Sequence, residues 1–145
     1  MPKMIDGIRR MLAGEVPPPP VAELIGFTVT EVEPGRAVVA FEAGLRHANP
    51  MGTVHGGILC DVADAAMGIA FVTTLQPDES FTTMSHMINF FRPVWEARLR
   101  FPAHVVNRSQ NTGYVECDVT DPEGKLIAKA MSTCTVLRGD QAKTR

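Results

Sequence analysis

The sequence has few of the features that mark disulfide-rich, zinc-binding or membrane proteins. It contains only three cysteines, Cys60, Cys117 and Cys134, and no Cys-x-x-Cys pair, which argues against a zinc knuckle and a disulfide framework. We expect these thiols to be reduced and buried in a cytoplasmic protein. The longest apolar stretch without a charged residue, Ala65–Pro77, is shorter than the roughly 20 residues that span a bilayer. The sequence therefore predicts a soluble protein with no membrane partner.

A strong excess of charge of one sign is also missing. The 14 Lys and Arg residues nearly balance the 16 Asp and Glu residues, and the formal net charge is -2. A nucleic-acid-binding domain would show a positive excess, so we expect no nucleic-acid partner. The length of 145 residues and the hydrophobic fraction of 45% are those of one globular domain that buries its own core without a metal or disulfide.

Apolar and proline patterns divide the chain into three parts. Helical spacing from Met4 to Leu12, with Gly14 as a stop, predicts an amphipathic helix that docks on its own domain or on a partner subunit. Pro17–Pro20 predicts a stiff spacer that cannot be helical. We therefore expect a helix and spacer in residues 1–25, a compact domain in residues 26–138 and a frayed polar tail in residues 139–145.

The compact domain alternates in the manner of strands, apart from one long helical segment. The pattern predicts an imperfect strand from Gly26, a helix over Gly56–Thr74, and a bulge or sheet edge at Pro102. Further strands are predicted at residues 36–42, 81–91, 99–105, 114–119 and 125–137. Two strands, a helix and four strands make an α+β architecture. Because only Asp61 and Asp64 interrupt the apolar helix, we expect it to be buried nearly all round.

The segment His47–Gly57 carries most of the chemical information. Gly56 and Gly57 place unobstructed N–H groups at the start of the long helix, where unsatisfied donors and the helix dipole stabilise an oxyanion. Asn49 and His55 put polar groups just before that point. Asp64 lies two turns inside the apolar helix, where burying a carboxylate is costly unless a partner or a reaction needs it.

Structural interpretations of these residues stay open. Asn49-Pro50 is also a turn initiator, the His-Gly-Gly sequence also starts a helix, and Asp61 is explained by the helix dipole. His47, His55 and His86 lack any standard ligand spacing, so we expect no metal. The sequence has no G-x-S-x-G elbow and no phosphate-binding glycine loop, which leaves serine hydrolases and P-loop proteins without support.

A family resemblance follows from the motifs. The pattern His47-x-Asn49-Pro50-x-Gly52-x-x-His55-Gly56-Gly57, followed by Asp64-x-Ala66-x-Gly68-x-Ala70, resembles the PaaI-like branch of the hotdog-fold acyl-CoA thioesterases (the phenylacetyl-CoA thioesterase type). The segments Asn89-Phe90-Phe91-Arg92-Pro93 and Asp121-x-x-Gly124 are also similar. The resemblance covers about residues 26–137.

This resemblance implies a curved antiparallel sheet wrapped around a central long helix, assembled as a homodimer or as a homotetramer made of two such dimers. It implies hydrolysis of an aryl-acyl or medium-chain acyl-CoA to the free acid and CoA, without a cofactor. By position, Asp64 matches the catalytic carboxylate and Gly56 the backbone donor to the thioester carbonyl. Asn49 and His55 match polar residues at the reacting centre, and Thr83 matches a hydroxyl that holds the water or the carboxylate.

The expected substrate-binding residues are of two kinds. An acyl pocket built from flexible methionines, such as Met67, Met84 and Met87, would tolerate varied shapes. The phosphates of CoA call for basic residues at the pocket mouth, and the candidates are Arg92, Arg108 and Lys129, each of which is also explained as a solvated surface charge. Gly57 is expected to contact substrate beside Gly56.

Helix geometry tests the proposed pair of catalytic groups. Gly56 and Asp64 are eight residues apart on one helix, and a rise of 1.5 Å per residue separates their backbones by roughly 12 Å. A carbonyl bond is only about 1.2 Å long, so the two groups would struggle to serve one thioester. We therefore predict that each active site combines Asp64 of one subunit with Gly56 of another, across a two-fold interface.

The sequence leaves three alternative functions open. Hotdog enoyl-CoA or acyl-carrier-protein hydratases often carry Asp-x-Asn-Pro-x-His, but His47 and Gly52 occupy the two catalytic positions here. A non-catalytic acyl-CoA-binding sensor usually needs a DNA-binding segment, and the 25 residues before the domain are too short and proline-rich for one. A plain interaction domain is the third alternative. Release of thiol from acyl-CoA distinguishes a thioesterase from all three.

Overall fold

The computed structural model describes residues 4–143 and shows a six-stranded antiparallel sheet with a long helix packed on it. The α-helices are α1 (Met4–Leu12), α2 (Pro20–Ile25) and α3 (Gly56–Val72). The strands are β1 (Phe27–Glu33), β2 (Arg36–Ala43), β3 (Ser80–Phe90), β4 (Ala97–Arg108), β5 (Thr112–Thr120) and β6 (Leu126–Leu137). Their order across the sheet is β1-β2-β4-β5-β6-β3, so β1 and β3 form its edges. The predicted α+β class and the order of two strands, a helix and four strands are confirmed.

The core lies between α3 and the sheet. The buried residues of α3 recur at helical spacing and form one stripe, which contains Leu59, Val62, Ala63, Ala66, Met67, Ala70 and Phe71. Phe71 also explains a glycine of β5, because a Cβ atom at Gly113 would collide with the Phe71 ring. Among residues 4–143, no helix is long and apolar enough to cross a membrane.

The expectation that the long helix is buried nearly all round is wrong for the single chain. The side chain of Asp64 is 55% exposed, and Ile58, Ala65 and Ile69 are only half-buried. The reason is geometric, because the sheet covers one side of α3 and leaves an apolar strip with Asp64 on the other side. That strip is a surface on which another apolar group can pack.

The N-terminal segment is partly as predicted. Helix α1 has the expected bounds, and Gly14 follows it with a φ of 75°. The predicted spacer ends at Pro19, one residue early, because Pro20 begins the short helix α2. The sequence pattern did not predict this helix. Proline is well suited to a first helical position, where its missing N–H would be unsatisfied in any case.

The C-terminal segment that was predicted to be a frayed tail contains a short 3-10 helix, Gly139–Ala142. Residues 1–3, 144 and 145 lie outside the described part of the chain.

Two strand irregularities differ from the sequence pattern. Pro102 lies in the interior strand β4 opposite Val38, not at an edge, and the bulge of β4 falls between Val105 and Asn107. In β3 the pairing with β6 shifts between Thr83 and Ser85, which adds one residue to the strand. Such a bulge reverses the alternation of side chains beyond it.

Candidate active site

The bulge in β3 determines which side chains face α3. In a regular strand, residues 83 and 86 would point to opposite faces, because side chains alternate. With the extra residue at Met84, the half-buried positions beyond the first residue of the strand are Phe81, Thr83, His86 and Ile88. Thr83 and His86 therefore share the face that points towards the helix.

Asp64 lies against this face of β3. It lines a cavity of about 580 Å³ together with Thr83, Phe81 and the following turns of α3. The rest of the wall is predominantly apolar. Asp64, Thr83 and Thr28 are polar residues in this wall, and a few polar groups in a predominantly apolar cavity can orient a bound molecule and act on it.

His86 is the neighbour that the sequence reading did not place beside Asp64. Its Nδ1 atom lies 3.6 Å from Oδ1 of Asp64, and its side chain is 20% exposed. Its Nε2 atom is buried and has no hydrogen-bond partner within residues 4–143. The bulge at Met84, which brings His86 to this face, leaves no mark in the hydrophobic pattern, so periodicity could not find it.

Gly56 begins α3 at the other end of the site. Within the described chain, the N-cap residue His55 makes no side-chain hydrogen bond to the first N–H groups of the helix. The Ile58 N–H donates to the His55 carbonyl at 3.0 Å, and the N–H groups of Gly56 and Gly57 remain available to a ligand. The ring of Phe90 covers Gly56 so closely that a Cβ atom there would lie 3.0 Å from Cζ of Phe90.

A second cavity, of about 350 Å³, opens at Gly56. Its wall includes Phe90, Phe91 and the exposed Arg92. Within the described residues, no residue that lines this cavity also lines the Asp64 cavity. Gly56 and Asp64 thus face separate spaces of one subunit, although they belong to the same helix.

The loop before α3 holds the remaining sequence-predicted residues. The side-chain amide of Asn49 donates to Oγ1 of Thr53 at 2.8 Å, and its Oδ1 accepts from the Met51 N–H at 2.9 Å. Asn49 thus stabilises the turn that leads into the helix. His55 and Gly57 are exposed, and a Cβ atom at Gly57 would lie 3.2 Å from the His55 ring.

The predicted methionine pocket is not assembled in the single chain. Met67 is 1% exposed and belongs to the core of α3. Met84 and Met87 project outward from the edge strand β3, with exposed fractions of 65% and 56%. The wall of the Asp64 cavity contains a different methionine, Met11 of α1.

The candidate phosphate-binding cations separate into two groups. Arg108 lies under Phe71 and forms an ion pair with Glu79 at 3.0 Å, and Lys129 contacts Asp118 at 3.1 Å and Glu116 at 3.6 Å. The hydrogen bond to Asp118 is the main reason that the pKa of Lys129 lies above its usual value. Both cations therefore have structural partners, whereas Arg92 is exposed beside Gly56.

Glu79 anchors Arg108 from the loop after α3. It also accepts hydrogen bonds from Arg138 and from the Gln76 N–H. Burial alone would raise the pKa of Glu79, but these hydrogen bonds and the two arginine charges outweigh burial and hold the pKa below its usual value. Arg108 thus belongs to a structural ion-pair network.

The comparisons with known proteins decide the family. Residues 51–128, more than half of the chain, match the model of the thioesterase superfamily. The chain belongs to the thioesterase superfamily. A crystal structure of a variant of the phenylacetic acid degradation protein PaaI from Thermus thermophilus is 35% identical, has a TM-score of 0.76, and aligns over 81% of this chain and 98% of that one. The predicted hotdog fold and the PaaI-like resemblance are confirmed.

Curated members of the thioesterase superfamily are similar over most of their length. A 1,4-dihydroxy-2-naphthoyl-CoA hydrolase of Listeria monocytogenes is 28% identical over 114 residues, 79% of this chain and 91% of that protein. The human acyl-coenzyme A thioesterase 13 is 24% identical over 109 residues, 74% of this chain and 77% of that protein. The chain is accordingly an enzyme of the thioester hydrolase class.

The surroundings of the three cysteines make their thiols poor nucleophiles. Cys117 and Cys134 are buried, and burial raises the pKa of both thiols. For Cys60, burial and the neighbouring Asp61 charge raise the pKa. Thiols with raised pKa values stay protonated at neutral pH and are poor nucleophiles, so the chemistry falls to other groups.

Proposed function

We propose that this thioesterase hydrolyses an aryl-acyl or medium-chain acyl-CoA to the free carboxylic acid and CoA. The observation that carries the proposal is the position of Asp64, a carboxylate that lines a predominantly apolar cavity together with Thr83. The likeness to relatives named as CoA hydrolase and acyl-coenzyme A thioesterase supports CoA as the thiol.

The reaction assigns Asp64 one of two roles. As a general base, it takes a proton from water while the water oxygen bonds to the thioester carbon, and the C–S bond then breaks and the thiolate receives the proton. As a nucleophile, its carboxylate bonds to that carbon, CoA leaves, and water hydrolyses the resulting anhydride. In both routes the Gly56 N–H donates to the carbonyl oxygen as negative charge develops there.

The two catalytic groups come from two subunits in this proposal. Within one chain, Asp64 and Gly56 are separated by about two turns of α3 and face separate cavities. The edge strand β3, with its exposed methionines, offers a surface for a second copy, whereas Ala65 and Ile69 line the Asp64 cavity. Pairing of two copies would place each Asp64 near the Gly56 of its partner.

Three further residues support the reaction. Thr83 lines the Asp64 cavity and holds the water or the carboxylate. His86 is a positioning residue for Asp64, because its Nδ1 atom lies 3.6 Å from Oδ1 of that carboxylate. Arg92, exposed beside Gly56, contacts a phosphate of CoA.

Replacement of Asp64 tests the proposal. We expect Asp64→Asn to lower kcat/KM by at least about 100-fold, since loss of a single preorganised catalytic group typically costs that much. The matched control is Asp61→Asn, which removes an exposed carboxylate one turn earlier on α3 and should leave the rate nearly unchanged. The measurement is thiol release from a panel of acyl-CoAs, followed with a thiol reagent.

The outcomes separate the possible functions. Near wild-type hydrolysis of every acyl-CoA by the Asp64→Asn protein would remove Asp64 from the mechanism. An absorbance change of an enoyl-CoA without thiol release by the wild-type protein would indicate a hydratase. Binding of acyl-CoA with neither signal would indicate a non-catalytic binding protein.

A further inference from the structure

The N-terminal segment closes the cavity that contains Asp64. Helix α1 contributes Ile8, Met11 and Leu12, and the chain that follows contributes Pro18 and Pro19. These residues lie outside the region that matches the superfamily model, which begins at residue 51. The N-terminal segment, which like β1 and β2 precedes this match, therefore supplies one wall of the cavity.

Helix α1 is held firmly enough to serve as a wall. Ile5 is buried, and Ile8 and Met11 pack against the core while α1 lies along β1. The three cavity-lining residues of α1 are spaced i, i+3 and i+4, so they form one face of the helix. A stiff proline segment fixes the chain behind them.

The lining residues of α3 indicate the length of the cavity. On α3 the lining begins at Asp64 and runs through Gly68 to Val72. Eight residues of helix correspond to roughly 12 Å. Gly68 has no side chain, so the path between Asp64 and Val72 stays open at that turn.

This length translates into a size of acyl group. An extended alkyl chain advances by about 1.3 Å per carbon, given a C–C bond of about 1.5 Å, so 12 Å corresponds to roughly nine carbons. The wall along this path is predominantly apolar, which suits a hydrocarbon. The acyl part of the substrate thus has room to extend along α3 from Asp64, in a cavity that α1 helps to close.

We propose that α1 sets the upper limit of acyl length, with Met11 and Leu12 as the specificity-determining residues. This inference rests on the proposed function, because it takes Asp64 as the point where the thioester lies. Acyl groups of up to roughly nine carbons, straight or carrying one aromatic ring, are accepted, and longer straight chains collide with α1.

The test measures kcat/KM for straight-chain acyl-CoAs from four to sixteen carbons. For the wild type we expect a steep fall beyond about ten carbons. The double variant Met11→Ala, Leu12→Ala should shift this limit to longer chains and raise the rate for them by about fourfold per accommodated methylene, while short chains change little. Met4→Ala is the matched control, since Met4 is an exposed α1 residue outside the cavity wall.

Gly68→Ala provides a second variant that acts on the other wall. Its added Cβ would lie 3.5 Å from Cζ of Phe81, an ordinary contact, so the helix should fold normally. The methyl group narrows the path, and we expect the limit to shift to shorter chains.

Two failures are distinguishable. Robust hydrolysis by the wild type with an identical chain-length profile in the α1 and Gly68 variants would overturn the role of α1 and leave the proposed function intact. Absence of hydrolysis for every acyl-CoA would overturn the proposed function and this inference with it.

Discussion

Gly56 shows how a single backbone atom can be tested without changing the fold around it. Position 56 is the first residue of α3, where proline is well tolerated, and His55 before it already has the extended conformation that precedes proline. Gly56→Pro therefore removes the N–H and keeps the helix. We expect kcat/KM to fall by about 100-fold or more, as for other lost oxyanion donors.

Gly56→Ala is the matched control for crowding. Its Cβ would press on the Phe90 ring as proline would, but the N–H remains. We expect this variant to lose much less activity than Gly56→Pro. Equal losses in the two variants would mean that displacement of Phe90, and not loss of the donor, accounts for the effect.

His86 allows a second test at the level of one side chain. Replacing it with Leu removes the ring nitrogen that lies 3.6 Å from the Asp64 carboxylate, and also removes the buried Nε2 that has no partner in the described chain. We expect kcat to fall by up to about tenfold while KM changes little, since a 3.6 Å contact is weaker than a hydrogen bond to a charged group, which is worth roughly 1.5–3 kcal/mol. Because an unsatisfied buried atom is lost, the melting temperature should stay the same or rise.

His86→Asn is the rescue for this prediction. Its amide nitrogen occupies about the position of Nδ1 and restores a donor to Asp64, so much of the lost kcat should return. A lowered melting temperature with an unchanged kcat in His86→Leu would show that His86 has only a structural role.

At the scale of elements, the sequence predicted the helices and turns that are determined by residues within the element itself. Helix α1 has apolar residues at helical spacing and a glycine stop, and the hairpin of β5 and β6 has the Asp121 and Gly124 of its turn. In that turn, the Asp121 carboxylate accepts from the N–H groups of Glu123 and Lys125, so the turn is stabilised by its own residues. Local chemistry determined these elements.

Elements that depend on distant contacts were not predictable. The β3 bulge depends on pairing with β6, and only that bulge brings His86 beside Asp64. The one-sided burial of α3 depends on what the sheet covers, which composition cannot reveal. Arg108 was predicted to bind a phosphate of CoA from its charge alone. Its structural partners, Glu79 and Phe71, are distant in sequence and could not be foreseen.

At the scale of the whole molecule, the single chain carries two halves of a site. The Asp64 half has the carboxylate and the apolar cavity, and the Gly56 half has the helix N-terminus and Arg92. Beside the Gly56 half, Phe90, Phe91 and Trp95 are exposed. Exposed aromatic residues are characteristic of surfaces that bind another protein, and a second copy of this chain would cover them while completing both sites.

A hybrid dimer tests this assembly directly. Consider a dimer of one Asp64→Asn subunit and one Gly56→Pro subunit. If each active site combines residues of both subunits, one site contains both substitutions and the other site contains neither. The hybrid, co-expressed with two different affinity tags and purified through both, should have about half of the wild-type activity, because a two-fold dimer has two equivalent sites. Each parent homodimer should be nearly inactive. A hybrid as inactive as its parents would place both groups in one subunit, and the separation of the two cavities along α3 would then need a movement of the chain to bring them to one thioester.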